Sequence, residues 1–161
     1  MFQLRPFNLE DSPIVADWVS SPDDAYAVDS TSFYPLSADT VQGWRVESAS
    51  DYAFILCLDG DMVAYGDIIE DEADKDIEIQ RILVKPDMRD QGIGSALLSR
   101  LCAFIVESYP YTEVWMRVGR ENVSAASCGR AAGFVEDDTH SGPKYIWMKR
   151  TLVPTGIETE D

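Results

Sequence analysis

Residues 81 to 105 read RILVKPDMRDQGIGSALLSRLCAFI, and within them Arg89, Gly92 and Gly94 are the residues whose types and spacing bear on chemistry. The apolar run Ile82 to Val84 stops at Pro86, and an apolar pattern at helical spacing starts at Ile93. A helix N-terminus presents unpaired N–H donors and the positive end of the helix dipole. Glycines at 92 and 94 remove side chains from that point, so an anion can touch the backbone. Arg89 adds a guanidinium suited to phosphate. Together these residues form a cradle for a pyrophosphate. No Gly-Lys-Ser/Thr follows, which leaves a P-loop unsupported. Leu97 stands where a dinucleotide fingerprint requires Gly or Ala. The alternative is a tight strand-to-helix turn that needs the same glycines, with Asp90 capping the helix.

The elements that would position this turn follow from periodicity. FQLRPF alternates and predicts a first strand, after which Asp11 caps a helix carrying Ile14, Val15, Trp18 and Val19 on one face. Residues 20 to 35 read as a long aromatic-bearing connector. Ser37 caps a second helix with Val41 and Trp44 inward. YAFILCL and MVAYGDII flank Asp59-Gly60-Asp61 and predict a hairpin. An acidic turn, EDEADKD, leads into a fourth strand at 77 to 85. The helix after Gly92 presents Ile93, Leu97, Leu101, Phe104 and Ile105. A fifth strand at 112 to 118, a short helix from Asn122 to Gly133 and two closing strands complete the domain, 1–152, with a polar acidic tail at 153–161 expected to be disordered. The expected order is strand, two helices, three strands, helix, strand, helix, two strands. Its single strand–helix–strand crossover is parallel and right-handed, and the class is α+β with a mixed sheet.

Composition narrows the partners. The net charge of −16 argues against nucleic acid, whose phosphates would be repelled, and no apolar run is long enough for a membrane span. The opening MFQLRPFNLED carries no secretory pattern. Cys57, Cys102 and Cys128 are odd in number and widely spaced, as in a cytoplasmic protein with reduced thiols, and no metal-ligand spacing occurs. The acidity itself reads first as solubility or salt adaptation and second as attraction for a cationic substrate.

Arg-x-x-Gly-x-Gly after a strand ending Val-x-Pro resembles the central motif of the GNAT acetyltransferase superfamily. The resemblance runs from EIQRILVKPDMRDQGIGSALL to VWMRVGRENVSAASCGRAAGF, with Asn122 placed before Gly133-Phe134 as in the family's second motif. It implies acetyl-CoA as co-substrate, with no metal. Backbone N–H groups from Asp90, Gln91, Gly92, Ile93, Gly94 and Ser95 would hold the pyrophosphate, with Arg89 in the signature position. The fourth and fifth strands would splay, and Ile82, Leu83 and Val84 would line the pantetheine arm through their backbone. An N–H near Leu83 would polarise the thioester carbonyl. Asn122 would hydrogen-bond the arm; as a residue type at that place it reads equally as a helix N-cap.

The implied reaction is attack of an amine on a thioester, which needs a base because a protonated amine is not a nucleophile. Glu78 occupies the position where many members carry a glutamate. Its competing reading is an exposed strand residue beside an acidic turn. Many members also carry a tyrosine acid seven residues after the motif asparagine, and here that position is Gly129. Ser127, Cys128, Tyr34 and Tyr145 are the remaining hydroxyls and thiols in view, while His140 reads as a solvated side chain and Trp147 as packing. The implied acceptor is a small cationic amine or a peptide N-terminus, because EDEADKD and the connector with Asp23, Asp24 and Asp29 would flank one mouth. A homodimer is compatible with this reading. The reading from another class is an acyl-CoA-binding module without turnover, which Gly129 favours.

Overall fold

The computed structural model describes residues 1–44 and 52–152. The expected tail at 153–161 lies outside them. The chain forms β1 (Phe2–Pro6), α1 (Ser12–Asp17), α2 (Pro22–Val28), α3 (Ala38–Gly43), β2 (Tyr52–Leu58), β3 (Asp61–Asp71) and β4 (Asp76–Val84). Then follow α4 (Ile93–Ser108), β5 (Glu113–Gly119), α5 (Val123–Ala131), β6 (Val135–Asp137) and β7 (Tyr145–Thr151). The strands make one mixed sheet in the order β1-β2-β3-β4-β5-β7-β6. Among the described residues only β4 and β5 pair in parallel, as their helical crossover α4 requires. In the β2–β3 turn Asp59 and Gly60 sit at φ +51° and +92°, the left-handed pair that a two-residue hairpin demands.

Two cores cover the sheet. On one face Ile93, Leu97, Leu98, Leu101 and Ile105 of α4 pack on Leu56, Ile68, Ile77 and Ile79. Burying side chains of this size contributes about 1.5–3 kcal/mol each, so α4 is fixed by packing over its whole length. On the other face α1, α2 and α3 bring Val15, Ala25, Val28, Val41 and Trp44 against Ile55 and Tyr65. Asp11 joins α1 to β1: its carboxylate accepts two bonds from the Arg5 guanidinium, at 2.8 and 3.0 Å, and one from Asn8 N–H. The Arg5 hydrogen bonds hold its pKa below the usual value.

Two sequence expectations change. Residues 20 to 35 are not simply a connector, because Ser21 accepts Asp24 N–H at 3.1 Å and caps α2, with Pro22 opening the helix. A helix this short buries only Ala25 and Val28 and shows little periodicity. In the first helix Ile14 is 47% exposed, while Trp18 and Val19 are buried in the turn that follows Asp17.

The sheet is opened by a bulge in β4. Asp67 pairs with Gln80 and Tyr65 with Leu83, so Arg81 and Ile82 together oppose Gly66. Arg81 takes φ +53°. The extra residue reverses the alternation. Ile77 and Ile79 face α4, and beyond the bulge Ile82 and Val84 join that core while Leu83 turns to the other. Gly66 makes this possible, since a Cβ there would stand 2.9 Å from Ile82 Cδ1. The parallel pairing is confined to Glu78 with Trp115 and Ile79 with Met116. Beyond it both strands run on without pairing to each other, and the sheet is splayed.

Candidate active site

The splay, the start of α4 and the inner face of α5 enclose a cleft of about 690 Å³. Ile82, Leu83 and Val84 form its β4 wall. Arg89, Asp90 and the run Gly92 to Ser95 close one end, and Asn122 with Ser127 and Cys128 lines the α5 side. Gln91 is outside this lining; its amide donates to Asp87 C=O at 3.3 Å.

The turn is left-handed at Asp90 (φ +61°) and Gly92 (φ +79°). Asp90 is not the helix cap: Gly92 occupies that position, and no side chain caps it. The first helical bond of α4 runs from Ala96 N–H to Gly92 C=O, so the N–H groups of the preceding residues have no helical acceptor. Nothing lies within 4 Å of the place a Cβ at Gly92 would take. At Gly94 a Cβ would stand 2.7 Å from Cys128 Sγ, so this glycine lets α4 and α5 approach. The end of the cleft is thus a bare helix terminus with open space in front of it, the geometry that holds phosphate.

Arg89 is a strut in this turn. Its guanidinium donates to Val84 C=O at 3.1 Å, Trp18 C=O at 2.9 Å and Asp24 at 2.9 Å. It therefore ties the turn to β4, to the end of α1 and to α2. Partial burial works to raise the Asp24 pKa, but hydrogen bonds from Ser20 and Arg89 outweigh it and the pKa is lowered. Asn122 caps α5, with Oδ1 accepting Ala125 N–H at 3.1 Å, and lines the cleft as well.

Glu78 stands at the last parallel pair before the strands part, just beyond the lining of the cleft. Its neighbours Ile77 and Ile79 point into the α4 core, so Glu78 points to the opposite face. Its Oε1 is buried and has no hydrogen-bond partner. Burial pushes the carboxyl pKa up, and the Gln80 amide and the charge of Arg117 pull it only part of the way back. Glu78 as a whole is half-buried rather than exposed.

Gly129 faces the core, where a Cβ would meet Met116 Sδ at 3.1 Å and the Met148 thioether at 3.2 Å. Of the alternatives, Ser127 and Cys128 line the cleft, Tyr34 is exposed, and Tyr145 lies on the far side of the sheet under Arg117. His140 is exposed, 3.1 Å from Asp137 and in edge contact with Trp115. The acidic connector is largely neutralised: Asp24 pairs with Arg89, and Asp29 lies 3.8 Å from Arg81, which also binds Asp67 at 2.9 Å. That Arg81 cluster, resting on Trp44 at 5.6 Å, escapes sequence reading because the bulge that turns Arg81 inward has no sequence signature. Among the described residues no group of side chains could hold a metal ion, and no helix is long and apolar enough to cross a membrane.

The model of the acetyltransferase (GNAT) family matches residues 15–134. Solved structures share the fold at low identity. An aminoglycoside acetyltransferase, AAC(6')-Ib, in complex with coenzyme A is 18% identical with a TM-score of 0.77, over 94% of this chain and 95% of that one. Spermidine N-acetyltransferase from Vibrio cholerae in complex with CoA and spermine is 15% identical with a TM-score of 0.74, over 94% and 95%. The GNAT domain of S. lividans PAT is 18% identical with a TM-score of 0.73, over 92% and 89%.

Proposed function

Because the chain belongs to the GNAT acetyltransferase family, we propose that it moves an acetyl group from acetyl-CoA to a primary amine with Glu78 as the base. The acceptor is an amine of a small molecule or a peptide N-terminus. The observation that carries this reading is the buried, unpartnered Glu78 Oε1 at the point where β4 and β5 separate. A buried carboxylate oxygen without a donor costs stability and is retained where a reacting group will meet it.

The cleft suits the co-substrate. Its glycine turn offers backbone donors to a pyrophosphate, and the unpaired inner edges of β4 and β5 offer partners to the amides of pantetheine. Glu78, raised by burial, removes the proton from the incoming ammonium directly or through water. The nitrogen then forms its bond to the acetyl carbon as the carbon–sulfur bond breaks. The sulfur leaves as a thiolate and takes up the proton that the acetylated nitrogen gives up. A thiol pKa of about 8.5 makes that departure feasible without a dedicated acid, which fits Gly129 packed among thioethers.

The test is thiol release from acetyl-CoA with a panel of primary amines. The expected result is amine-dependent release with a one-to-one yield of N-acetyl product. Tight acetyl-CoA binding with no release for any amine would instead identify a module that holds acyl-CoA.

A further inference from the structure

Beyond the splay, the sheet face opposite α4 and α5 is aromatic and cationic, in a chain of net charge −16. Val114, Met116, Val118, Ile146 and Met148 fill the core, so Trp115, Arg117, Tyr145, Trp147 and Lys149 share the other face. Register sets them side by side: Trp115 opposes Lys149, Arg117 opposes Trp147, and Gly119 opposes Tyr145. Trp115 and Trp147 meet edge to face at 6.2 Å. The Arg117 guanidinium lies over the Tyr145 ring at 4.7 Å and over Trp147 at 5.8 Å.

Arg117 differs from the other cations of this face and its surroundings. Lys149 has Asp137 at 3.5 Å, and Arg81 has Asp67 and Asp29. Arg117 is exposed and, among the described residues, has no carboxylate within ion-pair distance. Two aromatic rings hold its guanidinium in place, which reduces the entropy lost when it binds. Its position relative to Glu78 is fixed by the sheet. Trp115 is the direct partner of Glu78, and Arg117 follows on the same face about 6.7 Å further along β5. An amine held at Glu78 therefore has its substituents on the same sheet face as this oriented guanidinium, whose charge is felt at the Glu78 carboxyl.

We propose that the acetyl acceptor is an amine that also carries a carboxylate, as an amino acid does, and that Arg117 binds that carboxylate. The inference rests on the transferase reading above and names its substrate class. A guanidinium offers a carboxylate two parallel hydrogen bonds, and the amino group is left facing the base. It also accounts for a cation beside the base of an acidic protein, where a polyamine would find Arg117 repulsive.

The test uses L-amino acids, each paired with its own carboxamide, as acceptors with acetyl-CoA. The carboxamide has the less basic amine and so more free amine at neutral pH, which biases intrinsic reactivity against the acid. The expected result is a kcat/KM about tenfold to a hundredfold higher for the acid, carried by KM. Arg117→Gln should abolish the preference, so that within the variant the acid and its amide are turned over alike; the comparison is made within each protein because the charge of Arg117 also acts on the Glu78 carboxyl. In parallel, calorimetry measures binding of the same amino acids to the coenzyme A-loaded protein, with and without Arg117→Gln. Thiol release without an acid preference, or a preference that survives Arg117→Gln, overturns the inference and spares the transferase reading. Arg117-dependent binding without thiol release for any amine overturns the transferase reading and leaves the carboxylate site standing. Neither binding nor release overturns both.

Discussion

Glu78→Gln lowers kcat by about a hundredfold or more, leaves acetyl-CoA affinity unchanged, and does not destabilise the protein at neutral pH. The last outcome separates this glutamate from a structural one. Burial raises its folded pKa, so the native state binds the proton more tightly than the unfolded chain does. Stability from this group is therefore full at low pH and is lost as pH rises from the unfolded value through the raised folded value. At neutral pH the carboxylate is a cost that a neutral amide removes. The same shift moves the acid limb of the kcat/KM profile above the range of an ordinary glutamate. Steady-state kinetics across pH, with denaturant melts of both proteins, check the three statements together. Unchanged turnover, or a large loss of stability at pH 7, would return Glu78 to a structural role.

Gly92→Val abolishes acetyl-CoA binding while the protein stays folded. The residue sits at φ +79° with open space where a side chain would project, so valine meets backbone strain and, when ligand arrives, the phosphate. Strain alone is controlled by Gly60→Val in the β2–β3 turn, where φ is +92° and the surroundings are equally empty. Each substitution costs about 1–3 kcal/mol of stability. Only the change at Gly92 should remove ligand binding by calorimetry. Equal retention of binding in both variants would place the pyrophosphate elsewhere.

Much of this was legible in the sequence. The hairpin at Asp59-Gly60, the apolar stripe of α4 and the Asn122 cap are local, and local chemistry is written in adjacent residues. The splay was legible only through the resemblance of the Arg89 to Gly94 turn to the family motif. Its physical cause, a residue added at Arg81 opposite Gly66, depends on the register between strands. The helix α2 was missed because two buried side chains leave little periodicity, although Ser21 and Pro22 marked its start. The role of Arg89 as a strut was out of reach too: Asp24 lies 65 residues away in the chain. Arg117 could not be singled out because its place beside Glu78 follows from a parallel register that no short motif encodes.

The most direct measurement is a thermal melt of the unmodified protein in increasing acetyl-CoA. A ligand that fills the cleft of the native state and ignores the unfolded chain stabilises by about 2.7 kcal/mol at a hundredfold excess over Kd. For a chain of this length that is a rise in Tm of about 5–10 °C. The account predicts that rise, saturable and shared with free coenzyme A. No rise at millimolar acetyl-CoA would contradict it.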